Sequence, residues 1–174
     1  MDLGEQLTAI VDATPAELAV LADYRDRLGQ GKLVKEQNEQ SHFCVYFLPQ
    51  NPETREIFIV HHKKAGKWLA PGGHIELGET VDQTLRREVY EELGYELNDS
   101  VEYTPFLLTV TEIDDSALPC RRHYDIWHLL PTDGRNFVVD PREFHETRWL
   151  SIDDARKIVT DPNNLLALDN ISGR

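Results

Sequence analysis

The fold of this chain is decided by two runs, Gly72-Gly73-His74-Ile75-Glu76-Leu77-Gly78-Glu79 and, seven residues later, Arg87-Glu88-Val89-Tyr90-Glu91-Glu92-Leu93-Gly94. The stretch that joins them predicts a helix, because Leu85, Val89 and Leu93 recur every four residues and form one apolar stripe. Candidate caps stand at both ends: Glu79 and Thr80 before the helix and Gly94 just past it. The second run therefore lies on a helix.

Three carboxylates share one face of this predicted helix within a single turn. Glu88, Glu91 and Glu92 fall at i, i+3 and i+4, where like charges repel by roughly 0.2–0.5 kcal/mol per pair. Such a face is either solvated acidic surface or a set of hard oxygen ligands whose repulsion a divalent cation relieves. The turn Pro71-Gly72-Gly73 favours ligands, because it lets the backbone approach whatever the carboxylates hold.

The spacing of these residues resembles the signature of the Nudix hydrolases. The matching positions are Gly73-x5-Glu79-x7-Arg87-Glu88-Val89-x-Glu91-Glu92-x-Gly94. Tyr95 departs from the aliphatic residue that closes the signature, which affects packing and no ligand. The resemblance implies an α/β fold, the Nudix-type α/β/α sandwich with a mixed β-sheet, over residues 41–174. An N-terminal helical extension, residues 1–40, precedes it and packs on the core in this prediction.

The resemblance also implies a site for Mg²⁺ or Mn²⁺. Its most direct ligands are the carboxylates of Glu88, Glu91 and Glu92, with the carbonyl of Gly72 as a backbone ligand. Glu79 is either a further ligand or a partner of one. The sequence leaves these two roles of Glu79 open.

The predicted catalytic residues are Glu88, Glu91, Glu92 and Arg87, and a general base must be added to them. Arg87 faces away from Glu88 but lies four residues before Glu91, so we expect it to orient that carboxylate rather than to touch phosphate. Two sources of the general base stay open. They are Glu88 itself and a downstream acid, one of Glu112, Asp114, Asp115 and Glu146.

The rest of the chain alternates helical and strand patterns. Residues 3–11 predict a helix, and Thr14-Pro15-Ala16-Glu17 forms a capping box that opens a second helix ending at Gly29. This pair is a dimerisation arm, a lid over the substrate or, as we favour, two helices packed on the flank of the core. Further patterns predict strands at 41–48, 56–61, 101–111, 122–130 and 142–150, with helix starts at Ser151 and Asp161-Pro162.

Three strand-level expectations follow from the same patterns. The first two strands form a hairpin, and Pro105 marks a sheet edge or a bulge. Alternation sends His123, Asp125 and Trp127 to one face and Tyr124, Ile126 and His128 to the other, so one of these faces can line a pocket. Cys44 and Cys120 have no Cys or His partner at metal-binding spacing, and we expect both to be core residues in a reducing compartment.

Composition limits the class of partner. The 174 residues carry a formal net charge of −13, which argues against broad nucleic-acid or anionic-membrane binding but not against a small phosphorylated substrate. Two basic clusters, residues 61–64 with Lys67 and residues 121–123, offer local cations. We take Lys67, Arg122 and His74 as candidate substrate contacts, although His74 is equally well a structural histidine. Without a long apolar run or a signal peptide, the expected compartment is the cytoplasm.

The chain is therefore predicted to be a divalent-metal-dependent hydrolase of a phosphoanhydride bond in a nucleoside diphosphate linked to another group X. The alternative is a Nudix-fold regulator that binds a nucleotide metabolite without hydrolysis, although a binder has no need of the full carboxylate set. An enzyme acting on RNA is disfavoured by the acidic charge. Residues 110–113 match no substrate subgroup pattern, so the substrate stays open, as does a homodimer, which is frequent in the family.

Overall fold

The computed structural model describes residues 2–114 and 118–173. These ranges contain five helices and seven strands. Their bounds are α1 Leu3–Ala13, α2 Leu18–Gly29, β1 Ser41–Gln50, β2 Ile57–His62, β3 Lys67–Leu69, β4 Gly72–His74, α3 Val81–Leu93, β5 Pro105–Glu112, β6 Arg122–Pro131, β7 Phe144–Leu150, α4 Ile152–Ala155 and α5 Pro162–Ser172. The predicted order is confirmed, with β3 and β4 as two short additional strands.

The strands form one mixed sheet centred on β1. This strand runs parallel to β6 along its whole length and antiparallel to β4, which carries the glycine turn. At one edge β5 pairs antiparallel with β6, and β2 pairs with both β3 and β7. The predicted hairpin pairs at Gln50 and Ile57, next to its turn, and β2 then continues against β7. Because β1 and β2 pair only next to their turn, β4 can pair with β1 further along that strand.

Helices cover both faces of the sheet. On one face α1, α2 and α3 share a core with the sheet in which Leu7, Leu85 and Phe43 are fully buried. On the other face α4 and α5 pack on a second core that includes Trp127 and Leu168. Burying one such side chain contributes roughly 1.5–3 kcal/mol, so both layers hold the sheet firmly. The predicted α/β/α sandwich is confirmed.

The two N-terminal helices belong to this packing. Arg27 is 2% exposed, and its guanidinium donates to three backbone carbonyls in the segment 31–41, which fixes the connection from α2 to β1. Gln6 accepts a hydrogen bond of 2.8 Å from the N–H of Val81, the first residue of α3. Of the roles considered for residues 1–40, these contacts fit two helices packed on the flank, where α1 supports the carboxylate helix.

The start of α2 corrects the prediction. Its N-cap is Glu17, whose side chain makes no capping hydrogen bond, so the capping box at residues 14–17 is wrong. The reason is that α1 runs on to Ala13 and Thr14 ends it, with its backbone N–H bonded to the Ile10 carbonyl. Residues 14–17 serve as the connection between the helices, and Leu18, the first residue of α2, is 85% exposed.

Two smaller predictions concern where β5 and α5 begin. Pro105 opens β5 at the sheet edge, and the register against β6 shifts beside it, so the edge and the bulge coincide. Helix α5 begins where predicted, with Asp161 as its N-cap and Pro162 as its first residue, and extends to Ser172. In the described ranges we find no helix with the length and apolar character needed to span a membrane.

Candidate active site

The carboxylate helix α3 is fixed at both ends by its local sequence. Thr80 and Gln83 close a capping box, since the side chain of each accepts a hydrogen bond from the backbone N–H of the other. Gly94 ends the helix in the left-handed conformation, with a φ of 58°. A side chain at this position would lie 2.9 Å from the Cβ of Val138. The direction of every side chain on α3 is set by these caps.

Arg87 joins the carboxylates of the motif. Its Nε and Nη2 donate to the two oxygens of Glu79 at 2.7 and 3.0 Å, and its Nη1 donates to Glu88 at 2.7 Å and to Glu91 at 3.1 Å. Nη2 also donates to the carbonyl of His74 at 2.9 Å. The expectation that Arg87 faces away from Glu88 is wrong, because its long side chain turns back towards β4 and spans both carboxylates.

Glu79 lies on the far side of Arg87 from the other carboxylates. Besides both bonds from Arg87, it accepts from the Thr84 hydroxyl at 2.8 Å and from the Glu76 backbone N–H at 3.1 Å. Partial burial raises the pKa of Glu79, but hydrogen bonds from Arg87 and Thr84 outweigh this and bring its pKa below the ordinary value. Of the two predicted roles, this geometry favours a partner that orients Arg87 over a direct ligand.

Glu88 and Glu92 turn inward from α3 onto the glycine turn. They are 9% and 5% exposed, whereas the side chain of Glu91 is 58% exposed. A Cβ on Gly73 would lie 2.1 Å from a carboxylate oxygen of Glu88, and one on Gly72 would lie 2.3 Å from a backbone carbonyl oxygen of β1. Glycine at both positions is therefore required for the carboxylates, β4 and β1 to approach this closely.

One of the two buried carboxylates has an oxygen without a partner among the described residues. One oxygen of Glu92 is buried with no hydrogen bond from the described residues. Burial and the neighbouring Glu88 raise the pKa of Glu92 well above its ordinary value, and burial raises the pKa of Glu88 against the effect of Arg87. An unpaired buried polar atom costs roughly 1–3 kcal/mol. A cation that prefers oxygen ligands satisfies this atom and relieves the repulsion, so the donors fit Mg²⁺ or Mn²⁺.

A cleft of about 780 Å³ opens at these carboxylates, within the size range of pockets for small ligands. The sheet contributes Tyr46, His74 and His123, so the face of β6 that carries His123 is the one at the cleft. The rim is basic as well as acidic. Its charged or ionisable side chains include His62, Lys64, Asp140, Arg142 and Glu143.

The structure separates the three predicted substrate contacts. His74 lines the cleft, whereas Lys67 is exposed at the start of β3 and does not belong to the described lining. Arg122 pairs with Asp23 of α2 and with Glu112 of β5, and it does not belong to the described lining of the cleft. Its guanidinium is engaged by two acids, and its role as a substrate contact stays a prediction.

The structure places the described downstream candidates for the general base outside the lining of the cleft. The acids considered from the sequence were Glu112, Asp114, Asp115 and Glu146. Glu112 and Glu146 form surface ion pairs, Asp114 is exposed, and Asp115 lies outside the described residues. Glu143 lines the cleft instead, with its side chain 37% exposed and Lys64 at 3.9 Å. Sequence reasoning missed Glu143 because it sits in the turn before β7, and no spacing links that turn to the acidic helix.

The sequence profile of the NUDIX domain matches residues 39–168 of the chain. The chain belongs to the NUDIX family. Nucleoside triphosphatase NudI from an Escherichia coli strain is 28% identical over 114 residues, which cover 63% of this chain and 75% of that protein. Nudix hydrolase 19, chloroplastic, from Arabidopsis thaliana is 29% identical over 90 residues, which cover 52% and 19%. Three of the curated relatives are spanned over only 13% to 34% of their own length.

Solved structures of the same family share this fold. The Escherichia coli dihydroneopterin triphosphate pyrophosphohydrolase aligns with a TM-score of 0.63 at 21% identity, over 74% of this chain and 93% of that chain. The NUDIX domain of Shewanella oneidensis NrtR, solved with ADP ribose, aligns with a TM-score of 0.62 at 14% identity, over 92% and 99%. At these identities the likeness concerns the fold alone, and it confirms the predicted Nudix architecture.

Proposed function

We propose that this NUDIX protein hydrolyses a phosphoanhydride bond in a nucleoside diphosphate linked to another group X, with Mg²⁺ or Mn²⁺ as cofactor. The observation that carries the proposal is the buried pair Glu88 and Glu92, which faces the glycine turn with one Glu92 oxygen unpaired. The names of two relatives support the reaction class. One is a nucleoside triphosphatase, and another is an m7GpppN-mRNA hydrolase of Xenopus laevis.

In this proposal, one group of residues binds the cation and a different residue accepts the proton. The proposed ligands are Glu88, Glu91, Glu92 and the Gly72 carbonyl. Arg87 holds two of these carboxylates in place through hydrogen bonds of 2.7 and 3.1 Å. The cation, when bound, neutralises charge on the phosphate oxygens. We assign Glu143 as the base that accepts the proton of the attacking water, because it lines the cleft without being engaged in the Arg87 network.

The basic residues at the rim indicate where the phosphates bind. The side chain of Lys64 is 84% exposed and 3.9 Å from Glu143, and that of Arg142 is 87% exposed and paired with Asp140 at 2.7 Å. Both ion pairs lie at the surface, where such pairs are weak and can exchange for a ligand. The formal net charge of the whole chain is −13, so a local contact rather than the overall field must receive a phosphorylated substrate. His74 stays a proposed contact on the sheet side, and Lys67 becomes one only for a substrate that extends past the cleft.

The proposed compartment is the cytoplasm. Cys44 and Cys120 are both free and buried, as thiols are in reducing compartments. We propose a small nucleotide-type ligand as the partner and no broad nucleic-acid binding, because the acidic balance of the chain repels a phosphate backbone.

The test is a panel of nucleoside triphosphates, ADP-ribose, sugar nucleotides and dinucleoside polyphosphates, assayed for phosphate or pyrophosphate release with Mg²⁺ or Mn²⁺. Wild type is compared with Glu92→Gln and with Glu96→Gln, whose exposed carboxylate lies beyond α3. We expect turnover to fall by about 10²–10⁴-fold in Glu92→Gln, to vanish in chelator and to persist in Glu96→Gln. Folded wild type that binds a nucleotide without turnover would contradict the proposal and support the regulator alternative.

A further inference from the structure

Three histidines and one cysteine converge on the sheet side of the cleft. His42 and Cys44 lie on β1, His74 on β4 and His123 on β6. Strand pairing brings them together, since Cys44 is opposite His74 across β1 and β4, and His42 is opposite His123 across β1 and β6. One nitrogen or sulfur atom from each residue lies within 4.8 Å of all the others. We call these four residues the His/Cys cluster.

Two of the imidazoles are already oriented as ligands. The Nδ1 of His42 lies 3.0 Å from the carbonyl oxygen of Asn38, to which it must donate, so the Nε2 of the neutral ring carries the free lone pair. A hydrogen bond from the far nitrogen to a carbonyl is the usual support of a metal-binding histidine. The Nε2 of His123 is buried and has no hydrogen-bond partner among the described residues. Among the described residues, the Nε2 of His42 therefore has one weak contact, with the Sγ of Cys120 at 3.9 Å, and the Nε2 of His123 has none.

Ring packing alone accounts for only part of this arrangement. The centroids of the three imidazoles lie 4.8, 4.9 and 5.1 Å apart, as in ordinary aromatic contacts. Packing does not explain why the buried Nε2 of His123 lacks a donor, nor why the thiol of Cys44 joins the same group of atoms. A bound cation explains both features.

We propose that the His/Cys cluster is a site for a transition-metal dication, with Zn²⁺ as the first choice. Three imidazoles and one thiolate are the donors that Zn²⁺ binds in four-coordinate sites, whereas Mg²⁺ takes oxygen ligands. With Zn–N of about 2.0–2.1 Å and Zn–S of about 2.3 Å, the edges of the tetrahedron are about 3.3–3.6 Å. The four atoms lie within 4.8 Å of one another, so metal binding must shorten the longest of these separations by up to about 1.2–1.5 Å. The Cys44 thiol releases its proton to solvent when the metal binds.

This site is distinct from the proposed Mg²⁺ site but adjacent to it. The carboxylate of Glu88 lies against Gly73, the residue before His74, and Asp125 is the β6 neighbour of Cys44. Because its ligands come from β1, β4 and β6, the metal fixes the strand that presents the glycine turn. The proposal does not depend on the substrate or on hydrolysis.

The test is spectroscopic and uses the full chain, stripped with a chelator, kept reduced and returned to excess Mg²⁺. Co²⁺ is then titrated in as the probe. We expect one equivalent to bind, with a thiolate-to-cobalt charge-transfer band and the visible bands of tetrahedral Co²⁺, both lost when Zn²⁺ is added. Folded protein that shows no charge-transfer band at saturating Co²⁺ overturns the proposal.

Variants identify the ligands. We expect Cys44→Ala to abolish the charge-transfer band and His123→Gln to weaken Co²⁺ binding at least tenfold, with circular dichroism as the check on folding. His123→Gln keeps the proposal testable if Cys44→Ala does not fold, because His123 is only partly buried. Cys120→Ala is the control for the second buried thiol, which is not one of the four clustered residues although its Sγ lies 3.9 Å from the Nε2 of His42. A band lost in Cys120→Ala but kept in Cys44→Ala, or Co²⁺ uptake lost in Glu92→Gln, overturns the assignment.

Discussion

Two sets of potential metal ligands border one cleft, and they differ in donor chemistry and in how the chain presents them. Glu88, Glu91 and Glu92 offer oxygen atoms from little more than one turn of α3. The His/Cys cluster offers nitrogen and sulfur atoms from three strands. Hard cations such as Mg²⁺ select the first set, and borderline cations such as Zn²⁺ select the second. We therefore expect donor type, rather than position in the cleft, to decide which metal binds at each set.

The largest effect on kcat is expected at the proposed general base, Glu143, and not at an acid elsewhere on the surface. Glu143→Gln removes the proposed base and is expected to lower kcat by about 10²–10⁴-fold with little change in KM. Glu146→Gln is the matched control, because this acid is exposed and paired with Arg148. Steady-state kinetics at saturating Mg²⁺ measures both. Equal kcat in Glu143→Gln and wild type would return the role of base to Glu88.

A second prediction concerns the turn that lies between the two ligand sets. Gly73→Ala places a Cβ 2.1 Å from a Glu88 oxygen, so the carboxylate must move. We expect turnover to fall by about 10- to 100-fold and the free energy of unfolding to fall by about 1–3 kcal/mol. Gly29→Ala is the control, because a Cβ there meets nothing within 4 Å. Unchanged turnover in Gly73→Ala would show that the position of Glu88 does not matter.

The third prediction concerns an acid beside the His/Cys cluster rather than on α3. Burial raises the pKa of Asp125 from 3.8 to about 7, against hydrogen bonds from Thr111 and Thr109. Between these values the folded chain keeps a proton that the unfolded chain releases. This contribution to stability is therefore complete below about pH 4 and is lost as the pH rises through about 7.

Asp125→Asn removes this titration. Urea unfolding of metal-free protein at pH 5 and pH 8 is expected to show a loss of stability in wild type that the variant lacks. The difference has an upper limit of about 3 kcal/mol, because about two pH units separate pH 5 from the folded pKa of about 7. Because every other group titrates in both proteins, parallel pH profiles would contradict the assignment of this dependence to Asp125.

The smallest effect is expected at the rim. Lys64→Ala removes an exposed cation that lines the cleft and is expected to raise KM by about twofold to fivefold at unchanged kcat. Lys67→Ala, three residues on, is the matched control and is expected to behave as wild type. The reverse result would place the phosphates outside the cleft and restore the sequence-based choice of Lys67.

The carboxylate helix was predictable because its information is local. Periodicity placed Leu85, Val89 and Leu93 in the core, the cap at Thr80 and the left-handed Gly94 bounded the helix, and the Nudix spacing named the ligands. The strand order and the sandwich followed from the same patterns. Where local signals competed, the prediction was wrong, as at Thr14, which ends α1 instead of opening α2.

The His/Cys cluster was not predictable because only two of its four residues, His42 and Cys44, are close in the chain, and two residues do not indicate a metal site. Only the register of β1 against β4 and β6 brings His74 and His123 to them. The same limit applies to Glu143, which reaches the cleft from the turn before β7. Arg122 shows the converse, since a basic run in the sequence proved to be paired with Asp23 and Glu112.

The central claim is that the carboxylates of α3 hold the divalent cation. The most direct test is a Mn²⁺ titration followed by electron paramagnetic resonance of free Mn²⁺, with wild type, Glu92→Gln and Cys44→Ala. We expect Mn²⁺ affinity to fall at least about tenfold in Glu92→Gln and to stay unchanged in Cys44→Ala. Equal Mn²⁺ affinity in wild type and Glu92→Gln would contradict the account.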